Sequence, residues 1–262
     1  MTIDPSAPLP GYQFETSPRR IRVRFGGELL ADSEHMRLLR PPWGPPAYYF
    51  PTSDVRMDLL TPSSHSVPPA ALGPVTYWDL RAGDKSASHA ARGFRQPPSD
   101  LADLAECVAF DWNAMDAWFE EDEEIFVHPR DPRHRVDVRE SSREVRVAID
   151  GETVAETRRP RILFETGHPV RYYVPRLDVH FDLMKPSERR TSCPYKGTCE
   201  YWTAVAKGTA HEDVAWSYVF TYEDCPKIAN HLCFYNEQVD LYVDGVPKER
   251  PPVRPPRRPG DI

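Results

Sequence analysis

The chain contains itself twice. An offset of 124 positions lays Tyr77-Trp78 on Tyr201-Trp202 without a gap. The same offset superimposes Val23 on Val147, Gly27-Glu28 on Gly151-Glu152, Tyr48-Tyr49 on Tyr172-Tyr173 and Pro51 on Pro175. It also lays Asp54-Val55 on Asp178-Val179, Asp58-Leu59 on Asp182-Leu183, Gly73 on Gly197 and Phe110 on Phe234. So long a period is a doubled domain rather than a solenoid repeat. The copies differ most at one place. The second reads Thr191-Ser192-Cys193-Pro194-Tyr195-Lys196-Gly197, where the first reads Val67-Pro68-Pro69-Ala70-Ala71-Leu72-Gly73. Reactive side chains are kept in one copy only, which directs the search for function to the second.

A length of 262 residues accommodates two domains of about 110–120 residues, each able to bury its own core. We place them at 19–118 and 143–250, with an ordered connector at 119–142. Residues 1–18 and the Pro- and Arg-rich 251–262 read as disordered tails, the latter alternatively as a Pro-rich ligand for a partner. A net charge of −7 and a pI near 5.7 argue against a binder of duplex nucleic acid. No apolar run has membrane-spanning length and no signal pattern opens the chain. Five cysteines without framework spacing point to reduced thiols in the cytoplasm.

The local pattern is β. Ile21, Val23 and Phe25 alternate with Arg22 and Arg24, and Val145, Val147 and Ile149 alternate with Arg146 and Ala148; period two marks half-buried strands. Gly26-Gly27, Asp150-Gly151 and Asp244-Gly245 are hairpin signals. Helix is expected only at 100–107, capped by Ser99, and in a shorter counterpart at 226–232. The connector opens on Glu120-Glu121-Asp122-Glu123-Glu124, an acidic run suited to guarding a strand edge. Phe126 flanked by branched residues predicts that the connector packs, with His128 and Arg130 closing a pocket.

Several residues of the second copy bear chemistry. Pro194 and Gly197 bracket a turn expected to display Tyr195 and Lys196. Lys196 and Arg190 are close enough in sequence to favour a thiolate at Cys193, making it a candidate nucleophile; the plain alternative is a small buried thiol. Lys196 is otherwise a cation for a carboxylate or phosphate. Tyr173, Trp202, Trp216 and Tyr235 belong to a dense aromatic set, half of which alternation assigns to an aromatic-walled cleft. Asp182 is a candidate for the same cleft. His231, where the first copy has Cys107, is a candidate general base. No metal site is expected, because Cys193, Cys199, Cys225 and Cys233 form no C-x-x-C pair, and no cofactor motif is present.

Asp150-Gly151-Glu152, Tyr172-Tyr173 with Pro175 and Asp178-Val179, Cys193 through Trp202, Trp216 with Tyr218, Phe234-Tyr235 and Val243-Asp244-Gly245 together resemble the DUF427 family, a domain of unknown function widespread in bacteria. The resemblance covers nearly all of 20–250 as two copies. It implies a mainly β fold: two tandem Mss4-like, or β-tent, domains of antiparallel sheets with few short helices. Relatives of that architecture carry zinc on paired C-x-x-C motifs, which this chain lacks. The family is also labelled nucleotidyltransferase-like, but the Gly-Ser loop and paired aspartates of such enzymes are absent here. Three functions follow as expectations: a small polar or anionic, possibly aromatic, metabolite bound in the second domain, with or without catalysis; a non-catalytic protein-interaction module; or a thiol redox enzyme by analogy of fold.

Overall fold

The computed structural model describes residues 11–42, 44–68 and 71–252. Residues 1–10 and 253–262 of the expected tails lie outside these. The described chain forms two compact units, 11–131 and 132–252.

The first unit contains β1 (Gln13–Thr16), β2 (Ile21–Phe25), β3 (Glu28–Ser33), β4 (Arg37–Arg40), β5 (Ala47–Pro51), β6 (Leu60–Pro62), β7 (Val75–Ala82), β8 (Lys85–Phe94), β9 (Cys107–Phe110), β10 (Ala117–Glu120) and β11 (Glu123–Ile125). The second contains β12 (Val136–Glu140), β13 (Val145–Ile149), β14 (Glu152–Thr157), β15 (Arg161–Glu165), β16 (Arg171–Pro175), β17 (Met184–Cys193), β18 (Gly197–Ala206), β19 (Thr209–Phe220), β20 (His231–Phe234), β21 (Asp240–Val243) and β22 (Val246–Pro247). Each unit has a seven-stranded and a four-stranded antiparallel sheet. The large sheets run β1-β4-β5-β9-β8-β7-β6 and β12-β15-β16-β20-β19-β18-β17; the small ones run β11-β10-β2-β3 and β14-β13-β21-β22. Strand for strand the orders correspond, so the duplication in sequence is a duplication of mainly β architecture.

The expected hairpins form where local chemistry demands them. Asp150 and Gly151 take φ of +50° and +78°, and Asp244 and Gly245 take +54° and +75°. Two successive positive φ values suit the two-residue turns that match strand twist. Asp54 and Asp178 have the same task in both copies: each accepts a 2.6 Å bond from the hydroxyl that ends β3 or β14, Ser33 or Thr157. This ties a 3₁₀ turn to the small sheet.

The helix expected at 100–107 is instead a kinked 3₁₀ segment, Ser99–Glu106, with Pro98 rather than Ser99 at its cap position and non-helical torsions at Leu101. Its buried residues, Leu101 and Leu104, are three apart, the period of a 3₁₀ turn. The counterpart shrinks to Pro226–Ile228, and His231-Leu232 belong to β20. Two edge strands fall where alternation is weak. Gln13–Thr16, inside the expected tail, pairs with β4, and Val136–Glu140, inside the connector, pairs with β15. The acidic run does form an edge: among the described residues β11 pairs only with β10. Phe126, expected to pack, is 72 % exposed. Among the described residues no helix is long and apolar enough to cross a membrane.

Each large sheet buries one face against the small sheet of its own unit. In the second unit this core includes Val145, Val147, Val154, Val174, Leu232, Phe234 and Leu241. The other face of the large sheet carries a separate cluster in each unit. There the two copies part.

Candidate functional site

Strand register decides which aromatics meet. Tyr173 pairs with Cys233, Cys233 with Trp216, and Trp216 with Tyr201. Residues directly opposite in adjacent strands share a face, so these four form one row across the sheet. Their sequence neighbours point the other way. Tyr172 packs against the inter-sheet core and Trp202 lies within it, where Phe181 meets Trp202 edge-on at 5.1 Å. Trp202 is therefore a core residue, and the structure does not bring it to the other aromatics of the expected cleft.

The row's face is concave. Lys196 Nζ donates to Glu165 Oε1 at 2.5 Å and Oε2 at 2.6 Å. Lys196 sits in the turn before β18 and Glu165 at the end of β15, four inter-strand steps away. Along a flat sheet that is about 19 Å, so the sheet must curl until the two meet. Tyr195 and Lys196 are not displayed in solvent as expected. Both are buried, because the turn folds them onto the sheet. His134 joins them: Nε2 lies 3.0 Å from Glu165 Oε1, and its ring stacks on Tyr195 at 4.2 Å. His168 stands edge-on to His134 at 6.0 Å. Burial pushes the Glu165 carboxyl up, but the His134 hydrogen bond and the charges of Lys196 and His168 outweigh it and hold it at about 2. Lys196 thus neutralises an internal carboxylate, and its ammonium is already engaged.

A second polar group lies on the same face. Arg171 forms a two-bond pair with Glu237, both at 2.7 Å. Its guanidinium stands 5.5 Å from the Trp216 ring centre and 5.8 Å from that of Tyr235. Trp216 and Tyr235 meet at 4.6 Å, and the indole N–H donates to the Tyr173 hydroxyl at 3.2 Å. Arg189 lies over Tyr201 at 4.3 Å, whose hydroxyl is 2.8 Å from Thr191 Oγ1. Arg171, Arg189 and Tyr235 retain solvent exposure, so this is the open side of the face.

The first domain keeps the fold without the cluster around Glu165 and Lys196. Where the second has His134, Glu165, His168, Tyr195 and Lys196, the first has Pro10, Pro41, Gly44, Ala71 and Leu72. Leu72 is buried among Leu39, Tyr49, Phe94, Leu101 and Leu104. Arg171, Trp216 and Tyr235 are matched by Ala47, Arg92 and Asp111. Glu165, His134, His168 and Arg171 are site residues that the sequence reading missed. Comparing the copies position by position contains the signal, since a whole polar set is exchanged together.

The remaining candidates are dispersed. Cys193 on β17 and His231 on β20 have β18 and β19 between them, and no hydrogen bond joins them among the described residues, as a nucleophile and its base would require. His231 is lowered by burial, and its Nδ1 faces the Ala229 carbonyl at 2.9 Å. Neither expected activator serves Cys193: Lys196 is bound to Glu165, and Arg190 donates to the carbonyls of Ser187 and Arg189. Asp182 is exposed on a 3₁₀ turn, Phe181–Leu183, so strand parity does not aim it at the cleft. His128 and Arg130 belong to the first unit, where His128 Nδ1 is 2.9 Å from the Pro129 carbonyl. Burial pushes Cys225 up to about 11 and Cys233 to about 12, which keeps both as unreactive thiols at neutral pH. Of the five cysteines only Cys193 is not buried. A thiol reagent should therefore modify one thiol per native chain rapidly and the other four only on unfolding. Two or more fast equivalents would contradict this placement.

A family model described as "Domain of unknown function (DUF427)" matches residues 13–121 and again 137–245. These are two tandem copies of one mainly β domain, and the chain belongs to the DUF427 family. No curated protein matches the chain.

Proposed function

We propose that the second domain binds a small polar or anionic metabolite with a planar part, on the concave face between Arg189–Tyr201 and Arg171–Trp216–Tyr235. One observation carries this reading: the same fold packs this face with Leu72 and other largely apolar side chains beside Arg92 in one copy, and with the buried Glu165–Lys196 pair and a larger aromatic set in the other. The fold does not need that pair, and buried charge is costly to keep without a use. Aromatic rings beside guanidinium groups suit flat anionic ligands. Lys196 supports the site through Glu165 and His134, which fix the wall that Tyr195 completes. A thermal-shift screen of metabolites tests this. A ligand should stabilise the wild type and lose that effect in Trp216→Arg, which installs the first domain's residue, and in Arg171→Ala. Equal stabilisation of all three proteins would refute the site.

A non-catalytic interaction module is the second reading. It is favoured by exposed Val219, Phe220 and Tyr222, which a soluble partner would cover.

A further inference from the structure

The large sheet of the first domain carries a polar row of its own. Tyr77 on β7 pairs with Arg92 on β8, and Arg92 with Ala109 on β9. The pairing of Phe50 with Val108 sets Tyr49 opposite Ala109. Tyr77, Arg92, Ala109 and Tyr49 therefore share one face, at the places of Tyr201, Trp216, Cys233 and Tyr173. In the second domain two members of this row satisfy each other, the Trp216 indole N–H donating to the Tyr173 hydroxyl at 3.2 Å. In the first domain the Tyr49 hydroxyl and Arg92 Nε are both buried without a hydrogen-bond partner. Burial pushes the Tyr49 phenol up and the guanidinium offsets part of the rise, so the two groups are neighbours without proper hydrogen-bond geometry.

Arg92 also lacks a counter-charge. Arg20, Arg22, Arg37 and Arg171 are half-buried like it, and each holds a carboxylate: Asp32, Asp122, Asp103 and Glu237. Among the described residues no carboxylate pairs with Arg92. Asp111, two places after Ala109, accepts the Asn113 N–H at 2.9 Å. Asp79, two places after Tyr77, accepts the His89 N–H at 2.8 Å and lies 3.4 Å from His89 Nδ1. A half-buried cation with neither a counter-charge nor a full set of acceptors is costly to hold. Space around it is provided by Ala47, Ala71 and Ala109, which stand where the second domain has Arg171, Tyr195 and Cys233.

A further donor stands on the other side of Tyr77. The His65 ring meets Tyr77 edge-on at 4.8 Å and stacks on His89 at 4.2 Å. His89 is itself fixed by Ser63 Oγ, 2.8 Å from its Nδ1. His65 is exposed. Guanidinium, phenol and imidazole thus come from three successive positions across the sheet. Such a spread suits the diverging oxygens of a phosphate better than the two coplanar oxygens of a carboxylate, and arginine is the residue that most often reads either.

We infer that the first domain binds a phosphate group on this row, with Arg92 and the Tyr77 hydroxyl donating to its oxygens and His65 on the outer side. The site is independent of the one proposed for the second domain and uses none of its residues. Amide NMR of the full chain, titrated with inorganic phosphate at constant ionic strength, tests it. The amides of Tyr77, Arg92 and Ala109 and the Arg92 Nε–H should shift along a saturating curve, and acetate should not reproduce it. Arg92→Trp, which installs the second domain's residue, should abolish saturation. Tyr77→Phe keeps the ring on which His65 packs and should weaken binding about fivefold. If Arg92→Trp loses its dispersed amide signals, Tyr77→Phe decides alone. Shifts that stay linear up to about 50 mM phosphate, or an unchanged curve in a folded variant, would overturn the inference. Acetate saturating at a lower concentration than phosphate would do the same, by assigning the row to carboxylates. Arg171→Ala, which disables the second domain's site, should leave the phosphate curve unchanged, so the two proposals fail separately.

Discussion

Lys196→Leu is expected to lower stability by about 3–5 kcal/mol, although leucine is what the first domain carries at this place. The loss arises because Glu165 is left ionised and buried without the ammonium that bonds both its oxygens. Adding Glu165→Gln to Lys196→Leu should recover about 2 kcal/mol, since it removes the stranded charge. The pH dependence gives an independent check. Glu165 is held at about 2 in the folded chain against an ordinary 4.5. A depressed carboxyl contributes stability above its unfolded value and loses it as pH falls toward the folded one. The wild type should thus lose about 3 kcal/mol from this group between pH 4.5 and 2, and that slope should flatten in Lys196→Leu. Urea unfolding across this pH range measures both effects. An unchanged midpoint in Lys196→Leu would mean that the pair is not buried as described.

The second large effect is steric. Gly197 adopts φ +105°, and a Cβ there would lie 2.6 Å from the Phe220 carbonyl oxygen. Gly73, its counterpart, has φ +96° and a Cβ would lie 2.5 Å from the Gln96 carbonyl oxygen. Both the torsion and the backbone contact exclude a side chain. Gly197→Ala and Gly73→Ala should each cost about 3 kcal/mol or more. Gly208→Ala is the control. Its φ is +81° with nothing within 4 Å of the added carbon, so only the torsional cost of about 1–2 kcal/mol applies. Equal losses at Gly197 and Gly208, read by chemical denaturation, would show that the close approach to β19 is not what demands glycine.

Much of the fold is legible because its causes are local. Asp150-Gly151 turns a hairpin through its own torsions, and Val145, Val147 and Ile149 all bury as their spacing requires. Edge strands are less legible: Gln13–Thr16 is nowhere fully buried, so neither face imposes alternation. Most of the candidate site was not legible. Tyr195 and Lys196 read as a turn on display, and Glu165 carried no signal of its own. Their meeting depends on how far the sheet curls, a property of seven strands packed together.

The chain alone determined that one β domain is present twice and that its second copy holds the polar chemistry, because repeats, hairpins and alternation are written in neighbouring residues. Only the tertiary structure decided which of those residues meet. Ion pairing and burial act across space, and they committed Lys196 to Glu165, placed Trp202 in the inter-sheet core, and held Cys193 apart from His231.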